Sequence, residues 1–382
     1  MGKSKQNSLL LGILLMGMLT QVQAQNYPQH SVLSSGTWYK ITIAEEGIYK
    51  IGCTELSALE GKSIHGVGMY GNGGGMLPDA NAIERINDLR QNPIKIVDHN
   101  GNGVFENGDY LLFYATSANT WTYSAEESIF KYNVHAYSNY NYYYLNLSET
   151  HPSNLTTSTA SQTAVPNGTI TTMTRVAVIN EDRNNLGNTG RIWLGDKFTN
   201  ATGTRQYRLE IPNVTDGTVV SLRFAFASNT KDVSSFDIDG AGLSRHVSFE
   251  SARYYKTDKT QYIHRGNAGE ALTYNIGYSS PDALTIGYLD YLEATAEVPI
   301  TYTGSPIIVR NKQQLGASEI HRFVFQATTS PTVWNITDPT NAQEMYVSFS
   351  NGQASFVDSS LTSQTYIIFN GGSSKTPKTS TH

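Results

Sequence analysis

The amino-acid sequence predicts an all-β protein, built as two or more consecutive β-sandwich or jelly-roll-like domains behind a cleaved signal peptide. Three observations carry that expectation. Aromatic and β-branched residues alternate with polar ones at a period of two, as half-buried strands require. Clusters of Gly, Asn, Asp and Ser interrupt these runs every ten residues or so, the rhythm of sandwiches and barrels. Apolar positions at helical spacing are scarce, with one or two turns expected around residues 54–59.

The first residues set the compartment. Lys3 and Lys5 precede an 11-residue apolar run at 9–19, and Val22 and Ala24 stand at −3 and −1 before Gln25. That order is a secretory signal peptide over residues 1–24. The run is too short to span a bilayer, which needs about 20 apolar residues. No later segment is apolar enough, so the exported chain is expected to have no transmembrane segment. Removing the leader leaves 358 residues. One core seldom grows beyond ~250–300 residues, so about two domains are expected. The leader holds two lysines and no acids, so Lys+Arg falls from 27 to 25 against 32 Asp+Glu, a net charge of −7. An acidic chain without a basic patch argues against nucleic acid as a partner. Cys53 is the only cysteine. No intramolecular disulfide can form, and stability must rest on burial.

The first β domain is expected over residues 25–150, entered by the strand Trp38-Tyr39-Lys40-Ile41-Thr42-Ile43. Its sharpest motif is Asp98-His99-Asn100-Gly101-Asn102-Gly103-Val104-Phe105-Glu106-Asn107-Gly108-Asp109. Asp98, Asn100 and Asn102 fall at positions 1, 3 and 5, and Gly103 sits at 6. Val104 at 7 offers a carbonyl, with Glu106 at 9 and Asp109 at 12. This is the ligand order of an EF-hand-type loop, and a hard cation such as Ca2+ takes several such oxygens. Position 12 is Asp rather than Glu, and Ile94-Lys95-Ile96-Val97 and Tyr110-Leu111-Leu112-Phe113-Tyr114 on either side are strand-like. The alternative is a hairpin loop turned by Asn-Gly pairs. The expected metal ligands, for a structural Ca2+, are Asp98, Asn100, Asn102, Val104, Glu106 and Asp109.

Other segments point to packing. Tyr70-Gly71-Asn72-Gly73-Gly74-Gly75 lacks the Lys-Ser/Thr ending of a phosphate loop and reads as a turn. Tyr137, Tyr140, Tyr142, Tyr143 and Tyr144 suit a strand, though exposed rings would also serve a glycan platform. Cys53 beside Tyr49-Lys50-Ile51-Gly52 reads as a small buried residue. Neither a partner for a Cys53–His65 pair nor a G-x-S-x-G elbow is present. No catalytic residue is expected in the chain. Sequons at Asn146, Asn154, Asn167, Asn200, Asn213 and Asn335 matter only in a glycosylating host.

Residues 151–174, rich in Ser, Thr and Asn, are expected to form a linker or long loop. A second β-sandwich follows over 175–310, with the strand Val219-Val220-Ser221-Leu222-Arg223-Phe224-Ala225-Phe226. Residues 311–370 either complete it or lead into a further domain; they carry the strand runs Met345-Tyr346-Val347-Ser348-Phe349 and Tyr366-Ile367-Ile368-Phe369. The polar tail, 371–382, is expected to be disordered.

An ordered series of segments adds a family resemblance. Gly36-Thr37-Trp38-Tyr39-Lys40-Ile41 is followed by Glu46-Gly47-Ile48-Tyr49-Lys50-Ile51 and by Tyr70-Gly71-Asn72-Gly73-Gly74-Gly75-Met76-Leu77-Pro78. Phe105-Glu106-Asn107-Gly108-Asp109-Tyr110 comes next. After it come Glu181-Asp182 and Gly190-Arg191-Ile192-Trp193-Leu194-Gly195. Leu289-Asp290-Tyr291-Leu292-Glu293 and Val333-Trp334-Asn335-Ile336-Thr337-Asp338-Pro339 complete the set. Together they resemble the N-terminal, pre-peptidase region of the PorU family of type IX secretion system sortases, relatives of the gingipain cysteine peptidases. The resemblance covers about residues 36–370. It implies a cell-surface enzyme that removes C-terminal sorting domains from secreted cargo and anchors that cargo. The implied partners are outer-membrane components of the secretion system and the cargo itself. The implied location is the periplasm, outer membrane or cell surface of a Bacteroidetes-type bacterium. The family's Cys–His dyad lies beyond the matched stretch, so the chain is expected to be a fragment ending before the catalytic domain. The alternative is a free-standing exported β-sandwich module that binds glycans or surface proteins.

Overall fold

The computed structural model of the chain describes residues 28–381, except 81, 159–164, 189, 191, 231, 251, 266–268, 313–319 and 360–362. The expected leader lies outside the described residues. The described part is nearly all strand, with no helix of seven or more residues. None of its helices is long and apolar enough to cross a membrane.

The chain divides into two compact units. The small one joins the residues up to Ser35 with residues 77–89. There the Asp88 carboxylate accepts from the Ser31 hydroxyl at 3.0 Å and the Val32 N–H at 2.8 Å. Leu77, Ile83 and Ile86 are exposed. The large unit comprises residues 36–76 and 90–382 and contains everything that follows.

Its N-terminal part holds nine strands: β1 (Trp38–Ile43), β2 (Gly47–Gly52), β3 (Gly68–Tyr70), β4 (Gln91–Asn92), β5 (Lys95–Val97), β6 (Tyr110–Ala115), β7 (Thr120–Ser124), β8 (Ile129–Asn133) and β9 (Asn141–Asn146). One sheet runs β1–β9–β3–β4, a second runs β2–β6–β5, and β7–β8 is a separate hairpin. The two sheets enclose a core of Ile41, Ile43, Tyr49, Ile51, Leu111, Phe113, Tyr143 and Leu145. The expected helical turns reduce to one 3₁₀ turn at Ser57–Leu59. Gly74 explains part of the glycine run: a Cβ there would lie 2.0 Å from the Ser117 carbonyl oxygen. The loop is glycine-rich because another stretch of backbone passes against it.

The C-terminal part is a larger sandwich. Its principal strands are β10 (Thr172–Asn180), β11 (Thr204–Val214), β12 (Val219–Thr230), β13 (Ser234–Gly240), β14 (Leu243–Phe249), β15 (Ala252–Arg265), β16 (Gly269–Ser279), β17 (Ile286–Pro299), β18 (Ile307–Asn311), β19 (Ile320–Ala327), β20 (Thr332–Asn335), β21 (Gln353–Ser359) and β22 (Gln364–Phe369). The broad sheet follows the order β20–β22–β18–β10–β17–β12–β15. Two smaller sheets cover its inner face: β11–β16–β13–β14, and one built around β19–β21. Between them lie Phe224, Phe226, Phe236, Tyr274, Leu292, Phe323, Phe356 and Tyr366. Phe226 stacks on Phe236 with centroids 4.2 Å apart. The 311–370 segment thus supplies strands to both layers of this sandwich. Part of the 151–174 stretch is strand as well: Thr156–Thr157 and Gly168–Ile170 pair with later strands, and β10 begins at Thr172.

Two expectations are corrected. The run at 345–349 is not one strand. Gln343–Glu344 pairs with β20 in the broad sheet, and Ser348–Ser350 pairs with β21 in the opposite one. Residues 345–347 cross between layers, burying Met345 and exposing Tyr346. Such a switch of sheet is how sandwich corners are made. The tail is not disordered over the described residues either. Gly371–Ser373 forms a 3₁₀ turn capped by Asn370, and Lys378–Thr381 (β23) pairs antiparallel with β1. Backbone hydrogen bonds order a strand whose composition offers no apolar anchor.

The outer face of the broad sheet is also covered. Ile367 and Phe369 of β22, with Trp334 of β20, pack against Ile48 of β2 and Leu112 and Tyr114 of β6. Tyr366 and Ile368 point the other way, into the large core. The unbroken apolar run of β22 is therefore buried on both faces, as periodicity demands of such a run.

Phe236 touches Phe198, Phe226, Phe249 and Tyr278. Phe236→Ala is expected to cost about 3–5 kcal/mol of stability, measured by urea denaturation. A loss below about 1 kcal/mol would mean the two layers do not meet there.

Candidate functional site

The loop at residues 98–109 joins β5 to β6 and is closed by its own hydrogen bonds. Asp98 Oδ1 accepts from Gly101 N at 2.8 Å and Oδ2 from Gly103 N at 2.9 Å. Asn100 Oδ1 accepts from Asn102 N, and Asn102 Oδ1 from Val104 N. These nested turns circle the chain around the side-chain oxygens. Gly103 provides the left-handed step, with φ of 79°. Glu106 is brought to Asn100 and Asn102, whose amide nitrogens donate to its two oxygens at 3.1 and 2.9 Å. Asp109 is buried and accepts from the backbone N–H groups of His99 and Glu106 at 3.0 and 2.9 Å. Those donors hold its carboxyl below the ordinary carboxylate range. Val104 instead forms a backbone bridge with Ser63.

The six expected ligands thus split into groups. Asn100, Asn102 and Glu106 meet; Asp98 and Asp109 each close on main-chain donors. Among the described residues no three His, Cys, Asp or Glu side chains gather as a metal group. The Glu106 charge is met by two amide NH2 groups. For a cation to replace them, both asparagine side chains must turn their oxygens inward.

Cys53 is half-buried at the end of β2. Burial, with Glu60, Asp109 and Glu55 around it, pushes its thiol above the ordinary range. That environment disfavours the thiolate a nucleophile needs. The tyrosines do not form one platform. Tyr143 is buried with its hydroxyl 3.1 Å from Thr116 N, Tyr142 lies under Lys40 Nζ, and Tyr137 and Tyr140 stand exposed in a preceding loop.

The largest concentration of buried charge lies where the β7–β8 hairpin covers the broad sheet. Arg223 Nη1 donates to Glu293 Oε2 at 2.5 Å, and Arg223 Nη2 to the Tyr291 hydroxyl at 3.2 Å. Glu127 approaches Arg223 from the hairpin at 3.9 Å, and Lys131 pairs with Glu127 at 2.6 Å. Nearby, the Arg310 guanidinium lies over the rings of Trp121 and Phe130, 3.7 Å from Glu46. Lys95 and Glu344 add a further pair at 2.7 Å. Alternation along β12 and β17 puts Arg223 and Glu293 opposite the core-facing Phe224 and Leu292, which sequence alone assigns to solvent. The missed clue is a charge pair at matched register, Arg223↔Glu293. These groups make an interlocked contact between the two parts of the large unit. They hold no nucleophile beside a base.

The geometry defines a class: a helix-poor, multi-sheet β scaffold with its layers locked by buried ion pairs. A particular solved protein has a similar fold. The chain is similar to dimeric latent PorU from Porphyromonas gingivalis, with a TM-score of 0.76 and 19% identity, over 93% of this chain and 34% of that one. The chain therefore spans about a third of that relative's length, and the likeness shows a PorU-like fold. The CBM36-1 domain of a multidomain xylanase, from the hindgut metagenome of Trinervitermes trinervoides, aligns over 32% of this chain and 95% of that domain. Its identity is 12% and its TM-score 0.22. No family model and no curated protein matches the sequence.

Burial pushes the Glu293 carboxyl above the ordinary range, against the pull of Arg223. A raised folded value favours the protonated form. Its contribution to stability is present at low pH and lost as pH rises through the raised value. Removing Arg223 raises that value further. Arg223→Met is expected to cost about 3–5 kcal/mol near neutral pH and less as pH falls. Urea denaturation near pH 5 and near pH 8 tests the sign; equal losses would mean Glu293 is not the charge left unpaired.

Proposed function

We propose that this chain is the non-catalytic, β-rich N-terminal region of a type IX secretion system sortase. In this reading it is exported by the leader at residues 1–24 to the periplasm, outer membrane or cell surface of a Bacteroidetes-type bacterium. It supports a gingipain-like cysteine peptidase domain and contacts secreted cargo and outer-membrane components of the secretion system. The observation that carries the reading is the extent of the fold match: 93% of the chain aligns with 34% of dimeric latent PorU at a TM-score of 0.76. A scaffold role also suits a chain whose lone thiol is held protonated.

The test is genetic and biochemical. Deleting the gene in its host is expected to leave secreted cargo with uncleaved C-terminal sorting domains, released rather than anchored. Mass spectrometry of the culture medium reads this directly. Normal processing and anchoring in the deletion strain would refute the proposal.

A second reading concerns the loop at residues 98–109 as a structural Ca2+ site. Asp98, Asn100 and Asn102 stand in the ligand order such a loop uses, and binding would turn the two asparagine amides so that their oxygens replace the NH2 groups now facing Glu106. Ca2+ is expected to raise the melting temperature of the wild-type chain and not that of Asp98→Ala. Equal responses, or none, would leave the loop as a hydrogen-bonded hairpin.

A further inference from the structure

The two sheets of the N-terminal part are open along one seam. Apart from β23, β1 ends one sheet, and β2 ends the other. Residues 375–381 lie across both edges. β23 pairs with β1 in the register Tyr39↔Thr381 to Thr42↔Lys378. Just before it, Lys50 N donates to the Lys375 carbonyl at 2.9 Å, and Lys375 N donates to the Ile48 carbonyl at 2.8 Å. The segment arrives from β22 through Gly371–Ser373.

The clasp is built almost wholly from main chain. Pro377 is the one buried residue between 371 and 380. No residue of 371–381 belongs to the apolar cluster beneath the seam, whose members all lie between Tyr39 and Leu147. The side-chain contacts are the ion pair of Lys375 with Glu45 and a weak bond from the Thr379 hydroxyl to the Glu55 carbonyl. The N-terminal core is complete without this strand. What the strand supplies is partners for two rows of N–H and C=O groups, which an uncovered edge presents to any extended chain. A site of that kind recognises backbone first, and sequence only through its few side-chain contacts.

We propose that the β1–β2 seam is a strand-capture site, occupied in cis by residues 375–381. Its ligand in trans is an extended polypeptide carrying a basic residue two positions before a proline, followed by polar strand-forming residues. Glu45 selects the basic residue, the buried Pro377 position selects the proline, and the β1 edge takes the rest by backbone pairing. The proposal does not depend on the sortase reading.

The probe is a fluorescent peptide, Ser-Lys-Thr-Pro-Lys-Thr-Ser-Thr-His, tested by anisotropy against the full chain. A tether gives the cis strand an effective concentration in the millimolar range, so wild type is expected to bind the peptide at least about tenfold more weakly than Lys375→Ala/Pro377→Gly. Adding Glu45→Lys to that variant is expected to weaken binding severalfold. A peptide with glutamate at its first lysine is expected to restore it. A dimer formed by exchange of residues 375–381 between copies supports the proposal and names a second copy as one source of the ligand. If the variant's β1 amides exchange freely with solvent and it still binds no peptide, the proposal fails. If the variant does not fold, amide exchange of wild type decides. Residues 378–381 must open well before the β1–β9 ladder. Exchange as slow as that ladder would make the strand a fixed part of the fold and overturn the idea.

Discussion

The architecture depends on two facing sheets, each with a strand buried on both sides. β6 sends Leu111, Phe113 and Ala115 into the N-terminal core, and Leu112 and Tyr114 into the contact with the broad sheet. β22 does the same from the other side, dividing Tyr366 and Ile368 from Ile367 and Phe369. A period of two leaves no polar face on either strand, so neither part of the large unit can present these strands to water. The two parts are thereby two sandwiches sharing a dry inner contact. Burial there is favourable at roughly 25 cal/mol per Å² of apolar surface, without any help from charge.

Charge serves the rest of the same face. Beyond β20 and β22 the broad sheet turns from apolar to ionic, and the β7–β8 hairpin meets it with Glu127, Lys131 and aromatic rings. Buried ion pairs seldom add net stability over apolar replacements of the same shape. Their effect here is geometric. Arg223 Nη1 and Nη2 reach Glu293 and the Tyr291 hydroxyl only when the strands keep their register. Arg310 is shielded only when Trp121 and Phe130 lie over it. The apolar half holds the sheets together; the ionic half fixes where they sit.

Much of this was legible in the residues. Alternation and turn clusters gave the strands, and the runs at 110–114 and 366–369 read as strands; the structure buries both on two faces. The stretch at 98–109 was recognisable as the connection between two strand-like runs, and it joins β5 to β6. What spacing cannot convey is which way an amide points. Asn100 and Asn102 aim nitrogen at Glu106, a choice set by the backbone donors that their oxygens already serve. The tail was misread for a related reason. Composition predicts order from apolar anchors, whereas residues 378–381 are ordered by an edge strand more than 300 positions earlier. The crossing at 345–347 was hidden because an extended chain leaving one sheet for another keeps strand-like composition throughout.

These long-range pairings also separate what can form early from what must wait. The N-terminal cluster draws only on residues between Tyr39 and Leu147, so its inner core needs nothing synthesised later. The outward face of β2 and β6 is different. Ile48, Leu112 and Tyr114 stay uncovered until Trp334, Ile367 and Phe369 arrive. Contacts of such sequence separation carry the largest loop-closure cost and form slowly. That outer contact therefore depends on strands about 220 to 320 positions later in the chain, whereas the inner core does not. The polar edge segment that clasps β1 and β2 follows every strand of both sandwiches in the chain, and it joins them through backbone pairing rather than through either core.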